Sequence, residues 1–149
     1  MAAEAAMTGH CETFDHTADV GLSAWADSPA ELLVALAGGL ADVICDRCQV
    51  RHAEVRTIHV EAPDMEFLAV DFLSQLLYMF NVDHFMQAEA SVTVQDRGEN
   101  GIALTAELTG ETFDPSRHEI RTEVKAVTYH QLKIALEGGR WVGRVILDL

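Results

Sequence analysis

Basic residues are scarce in this chain: 10 Lys and Arg stand against 24 Asp and Glu, giving a formal net charge of −14 over 149 residues. A surface so negative is repelled by a phosphate backbone, so direct nucleic-acid binding is not expected, and a cation or a basic protein surface suits the charge better. Proline is sparse as well, at 3, while 49% of the residues are hydrophobic, and together these argue against disorder. No apolar run reaches the roughly 18 residues needed to span a bilayer, so no membrane association is expected. The opening MAAEAAMTGH lacks both a basic segment and an apolar stretch of signal-peptide length, and a cytoplasmic location is the expectation. Three cysteines, an odd number, do not suggest a disulfide framework.

What the chain does contain is regular patterning. Residues 1–10 carry no period and read as a flexible terminus, leaving 11–149 as a single domain of ordinary size. A strand is expected over about 10–16, and Val20, Leu22, Ala24 and Ala26 alternate with Gly21, Ser23 and Trp25 in a second. Ser28, Pro29 and Glu31 then form a capping box with proline at the first helical position. The pair Gly38-Gly39 inside that helix costs about 1 kcal/mol per glycine relative to alanine, so the helix either packs closely there or is weakened there. Another strand is expected over 55–62. Pro63 and Asp64 open a second helix in which Leu68, Phe72, Leu76 and Phe80 recur every fourth residue, with Asp71, Gln75 and Tyr78 on the flank. The remainder alternates: strands over 85–96, 102–110, 120–136 and 141–149, separated by RGENG, the polar loop ETFDPSRHE and EGGR. Two helices among six or seven strands predict an α+β domain, a two-layer α/β sandwich with a mixed, mainly antiparallel sheet.

Several polar groupings invite a chemical reading. Asp15, His16 and Asp19 share a turn between two strands, where Asp and Thr ordinarily cap backbone donors. Asp148 closes an apolar strand one residue before the terminal carboxylate of Leu149. Carboxylates about 4 Å apart repel by roughly 4 kcal/mol at an effective dielectric of 20. If the last strand lay beside the 15–19 turn, such a cluster would need protons or a cation. An all-oxygen donor set selects Ca²⁺ or Mg²⁺ over zinc. Lys125 falls on the charged face of its expected strand, either solvated there or as a charge partner of the acidic cluster. The ETFDPSRHE loop brings Glu111, Asp114, Arg117 and His118 together, and a structural loop with an Asp–Arg contact is more plausible there than catalysis. His118 and His130 read as hydrogen-bonded structural histidines. Cys45 and Cys48 have the spacing of half a zinc site but lack a second pair, and read as ordinary thiols near a helix end. No nucleophile elbow, phosphate loop or Ser-His-Asp order can be assigned, so no catalytic residue is expected.

Three stretches, FDHTADVG, GETFDPSRHEIRTEVKAVTYH and WVGRVILDL, together resemble the archease family, and VDFLSQLLYMF is similar to the family's central helix. The resemblance covers Phe14 to Leu149. It implies an α/β sandwich and a non-enzymatic protein partner of the GTP-dependent RNA-splicing ligase RtcB. Such a partner promotes guanylylation of the ligase and sustains multiple turnover in tRNA splicing and RNA repair. It also implies a divalent-metal site on Asp19, Asp148 and Leu149, with Lys125 in a functional role; Asp15 and His16 match motif positions without an assigned role. Two readings of other classes stand beside it: a small metal-dependent phosphoester hydrolase with His16 as base, and a chaperone-like binding module.

Overall fold

The computed structural model describes residues 2–5, 9–16 and 19–149, and for residues 2–5, 15 and 16 it describes the backbone alone. Its strands are β1 (Ala2–Ala5), β2 (His10–His16), β3 (Asp19–Ala26), β4 (Glu54–Ala62), β5 (Phe85–Asp96), β6 (Ile102–Thr112), β7 (Ala126–Val127), β8 (Lys133–Glu137) and β9 (Arg140–Asp148). The helices are α1 (Pro29–Ile44) and α2 (Met65–Asp83). The fold is α+β, with two helices and antiparallel strands, as the patterning predicts. The strands divide between two sheets, one in the order β1-β5-β6-β4 and the other β2-β3-β9-β7, with β8 also paired to β9. Among the described residues no helix is long and apolar enough to cross a membrane.

Local chemistry explains the helices. The Glu31 N–H donates to Ser28 Oγ at 3.2 Å, and the Glu31 carboxylate accepts from the Asp27 N–H at 3.3 Å, so the cap satisfies donors the first turn cannot. Beyond the cap, α1 is buried on most of its circumference and touches strands of both sheets, as an apolar helix must. The glycine pair is a close-packing device. A Cβ at Gly39 would lie 2.4 Å from Cys11 Sγ on β2, and one at Gly38 would lie 2.4 Å from Arg47 Nη1. Asp64 caps α2 by accepting from the Phe67 N–H at 2.9 Å. Leu68, Phe72, Leu73, Leu76 and Leu77 then turn inward, while Gln75 and Tyr78 remain exposed.

Two segments differ from the sequence expectation. Ala2–Ala5, inside the stretch read as an irregular terminus, pairs with Val92–Gln95 of β5. A segment of three alanines and one glutamate has no polar–apolar period, so alternation could not reveal it. Conversely, the strand expected over 120–136 is present only as β7 and β8. Between them and β6 the chain is held by single contacts: Ile120 bridges Cys45, and the Arg121 N–H donates to the Ile44 carbonyl at 2.7 Å. Val124 is buried while Glu123 and Lys125 are exposed. The alternating pattern thus reports which side chains face inward, but the backbone hydrogen bonds that would make a strand are not formed there.

The last hairpin places β9. Gly138 and Gly139 have φ of 58° and 81°, and Glu137 pairs with Arg140 across them. Positive φ at both central residues is what a two-residue turn of the type I′ kind demands. Its outcome is that β9 runs between β3 on one side and β7 and β8 on the other.

Candidate functional site

The register of β3 on β9 sets Asp19 directly opposite Asp148. On the next strand outward His16 of β2 faces Asp19, and on the other side Ala126 of β7 faces Asp148, so His16, Asp19, Asp148 and Ala126 form one row across four strands. Strands lie about 4.8 Å apart, which puts the ends of the His16–Asp148 stretch within roughly 10 Å. The row belongs to the outer face of the sheet. Leu22 and its partner Val145 point into the core, as does Leu147, and Asp19 and Asp148 have the opposite parity along their strands. On that outer face the ring of Phe14 lies over Gly21, where a Cβ would come within 2.0 Å of it, and the Arg144 guanidinium stands 4.3 Å from the ring centre.

Asp148 is exposed and Asp19 half-buried. Like charges directly opposite on an antiparallel pair are unfavourable, by roughly 0.2–1 kcal/mol, so this register does not serve sheet stability. Leu149 is partly buried and packs against the core, which tethers the end of β9 beside the pair. Lys125 is brought to the same place by its backbone: its N–H donates to the Asp148 carbonyl at 2.8 Å, while its side chain is exposed. Among the described residues its ammonium makes no ion pair of the kind expected for a charge partner. The side chains of Asp15 and His16 lie outside the described residues, as does the support expected from them.

The donors that meet here are carboxylates, the ligand type of a hard cation, and they fit a magnesium or calcium ion that keeps part of its water shell. Among the described residues no group of three or more His, Cys, Asp or Glu is placed to hold a metal, and the carboxylates that the register sets opposite each other are those of Asp19 and Asp148.

A second polar cluster lies in the ETFDPSRHE loop, where the sequence groups Glu111, Asp114, Arg117 and His118. Glu111, at the end of β6, is buried, and its carboxylate accepts from the Arg51 N–H at 2.6 Å and from the Arg117 guanidinium. His118, also buried, places Nε2 3.1 Å from Glu111 Oε2 while its Nδ1 accepts from the Asp114 N–H at 2.8 Å. With Nδ1 accepting, the ring proton sits on Nε2 and is donated to Glu111. The Arg117 hydrogen bond, helped by the Arg51 N–H and His118 and opposed by burial, holds the Glu111 carboxyl down at about 2. Arg117 Nε also lies 3.4 Å from Asp114 Oδ2, the Asp–Arg contact the loop composition suggests. The cluster anchors the irregular segment that follows β6. The grouping in one loop is legible in the sequence; the burial of Glu111 and its bonds to Arg117 and His118 are not.

The cysteine pair has no such setting. Cys45 ends α1 and is buried, which pushes its thiol up to about 11, and burial likewise pushes Cys11 up to about 12. Both shifts disfavour the thiolate that metal binding and redox chemistry use. Cys48 is exposed in the following turn.

A sequence model of the Archease protein family matches residues 11–149. Protein archease of Pyrococcus abyssi is 38% identical over 139 residues, covering 93% of this chain and 97% of that protein. Protein archease of Methanopyrus kandleri is 38% identical over 138 residues, covering 93% and 98%. The solution structure of Methanobacterium thermoautotrophicum protein 1598 matches with a TM-score of 0.82 at 34% identity, covering 93% of this chain and 98% of that one.

Proposed function

This chain belongs to the archease family, and on that premise we propose that it is a non-enzymatic activator of the GTP-dependent RNA ligase RtcB, acting in the cytoplasm in tRNA splicing and RNA repair. The observation that supports this reading is the facing pair Asp19 and Asp148 on the outer, solvent side of the sheet. In this reading the two carboxylates and the Leu149 terminus hold a divalent cation, Ca²⁺ or Mg²⁺. Bound there, the cation supplies positive charge to neutralise phosphate oxygens during nucleotidyl transfer. The protein's own contribution is placement: β9 fixes Asp148, β3 fixes Asp19, and the Lys125 N–H holds the Asp148 peptide from the far side. A strongly acidic surface keeps the activator off the RNA and favours the basic surface of a protein that handles RNA.

The test is RNA ligation by purified RtcB, measured at single and multiple turnover with and without this protein. Stimulation at multiple turnover that Asp148→Ala removes is the expected result; no effect of the wild-type protein would refute the activator reading. Phosphodiester hydrolysis by the isolated protein, abolished by the same substitution, would establish the hydrolase reading instead.

A further inference from the structure

Three of the side chains that α2 exposes to solvent are apolar or aromatic. Phe67, Tyr78 and Val82 are 45%, 63% and 53% exposed, and their spacing of eleven and then four residues places them along one side of the helix, with Asp71 and Ser74 on that side between Phe67 and Tyr78. Tyr129, 53% exposed, extends the stripe beyond the start of α2: its ring meets that of Phe67 edge-on, with centroids 5.6 Å apart. The stripe spans roughly 22 Å along the helix from Phe67 to Val82 at about 1.5 Å per residue. At its Tyr129 end it approaches the acidic row. Thr128 is bonded to the Ile146 carbonyl and Ala126 pairs with Asp148, so Tyr129 lies three residues, about 10 Å of extended chain, from the Asp148 position.

The charges that α2 itself carries are of one sign. From its cap to its end α2 carries Asp64, Glu66, Asp71 and Asp83 and no lysine or arginine. Arg56, near the far end, is engaged by Glu54 and Asp83. Exposed aromatics with carboxylates along the same helix select among occupants. A nucleic acid would bring phosphates against them, and a second copy of this chain would face the same acidic rim with its own.

We propose that the Tyr129–Phe67–Tyr78 stripe is a docking face for a protein partner whose matching surface is an apolar hollow rimmed by lysines and arginines. The proposal rests on the activator reading above, which supplies a protein partner, and it adds where that partner sits: on α2, with the Asp19–Asp148 row at one end of the contact. Aromatic side chains anchor such contacts, and the acidic rim orients the approach.

Titrating this protein into RtcB, with binding and multiple-turnover ligation read in parallel, tests the assignment. The double variant Phe67→Ala/Tyr129→Ala raises the dissociation constant and the half-maximal stimulating concentration by roughly tenfold or more, while stimulation at saturation is unchanged. Tyr78→Lys, at a position 63% exposed and outside the core, shifts both in the same direction by opposing the basic rim. Variants that bind and stimulate within about twofold of wild type, against a noise level of that order, would overturn the docking face. Loss of binding in these variants when the wild type binds RtcB without stimulating it would uphold the docking face and refute the activator reading. No wild-type binding at all would overturn both. Sedimentation showing a dimer that the double variant dissolves, or RNA binding that it removes, would assign the stripe to those occupants and overturn the proposal.

Discussion

Glu111 is a buried carboxylate that stays ionised because Arg117, the Arg51 N–H and His118 all donate to it. Its ordinary value of 4.5 falls to about 2 in the folded protein. The unfolded chain therefore binds more protons than the folded one between those values, and stability rises with pH across that window. The stabilisation is complete above 4.5 and is lost as pH falls toward 2. Urea midpoints followed from about pH 5 down to about pH 3 are expected to drop more steeply for the wild type than for Glu111→Gln, which has no carboxylate to protonate. Parallel curves would show that other groups govern acid unfolding. Asp148 poses the opposite case. It is exposed and faces a like charge, so Asp148→Ala should change stability by no more than about 0.5 kcal/mol while abolishing stimulation of the ligase. A variant that unfolds, or that stimulates as wild type does, would contradict the role assigned to this side chain.

The elements of the fold were legible where their causes are local. Ser28, Pro29 and Glu31 start α1 because capping needs only neighbours in sequence, and the Gly138-Gly139 turn follows from the conformations glycine alone adopts freely. The purpose of Gly38-Gly39 was not legible, since it depends on what packs against the helix. The structure separates the two residues. Alanine at Gly39 meets Cys11 Sγ, which is part-buried against the core, and also approaches Cδ2 of the fully buried Leu22, so overpacking of about 1–3 kcal/mol outweighs a helix-propensity gain of about 1 kcal/mol. Alanine at Gly38 meets only the end of the Arg47 side chain, which can swing aside from its bond to Asp42, and the propensity gain prevails. Urea unfolding should thus show Gly39→Ala less stable and Gly38→Ala as stable as wild type or more so; shifts of the same sign and size would count against this packing account. The same limit applies to the candidate site. That Asp19 and Asp148 are acidic is plain from the sequence, but their pairing is a matter of register between the third strand and the last, which no local pattern encodes. The segment 120–125 misled for a related reason: it alternates like a strand while its backbone bonds go to a helix end and to β9.

At the scale of the whole molecule the net charge of −14 acts at a distance. The screening length shrinks from about 10 Å at 0.1 M salt to about 3 Å at 1 M, so association with a basic partner should slow as salt is raised, with a smaller effect on dissociation. Stopped-flow binding to the ligase at several ionic strengths measures this; an association rate indifferent to salt would mean that charge does not steer the encounter. The position of β9 has a different kind of consequence, one that concerns how the protein is made. The strand that follows all the others in chain order is the one to which β3, β7 and β8 are bonded. During translation the β2–β3 hairpin leaves the ribosome with one edge of β3 unpaired, an aggregation-prone state that lasts until β9 emerges. A nascent chain interrupted before that point carries neither Asp148 nor a closed sheet. The same event that seals the exposed edge also sets Asp148 opposite Asp19, so the acidic pair forms only in a molecule whose β3 edge is closed.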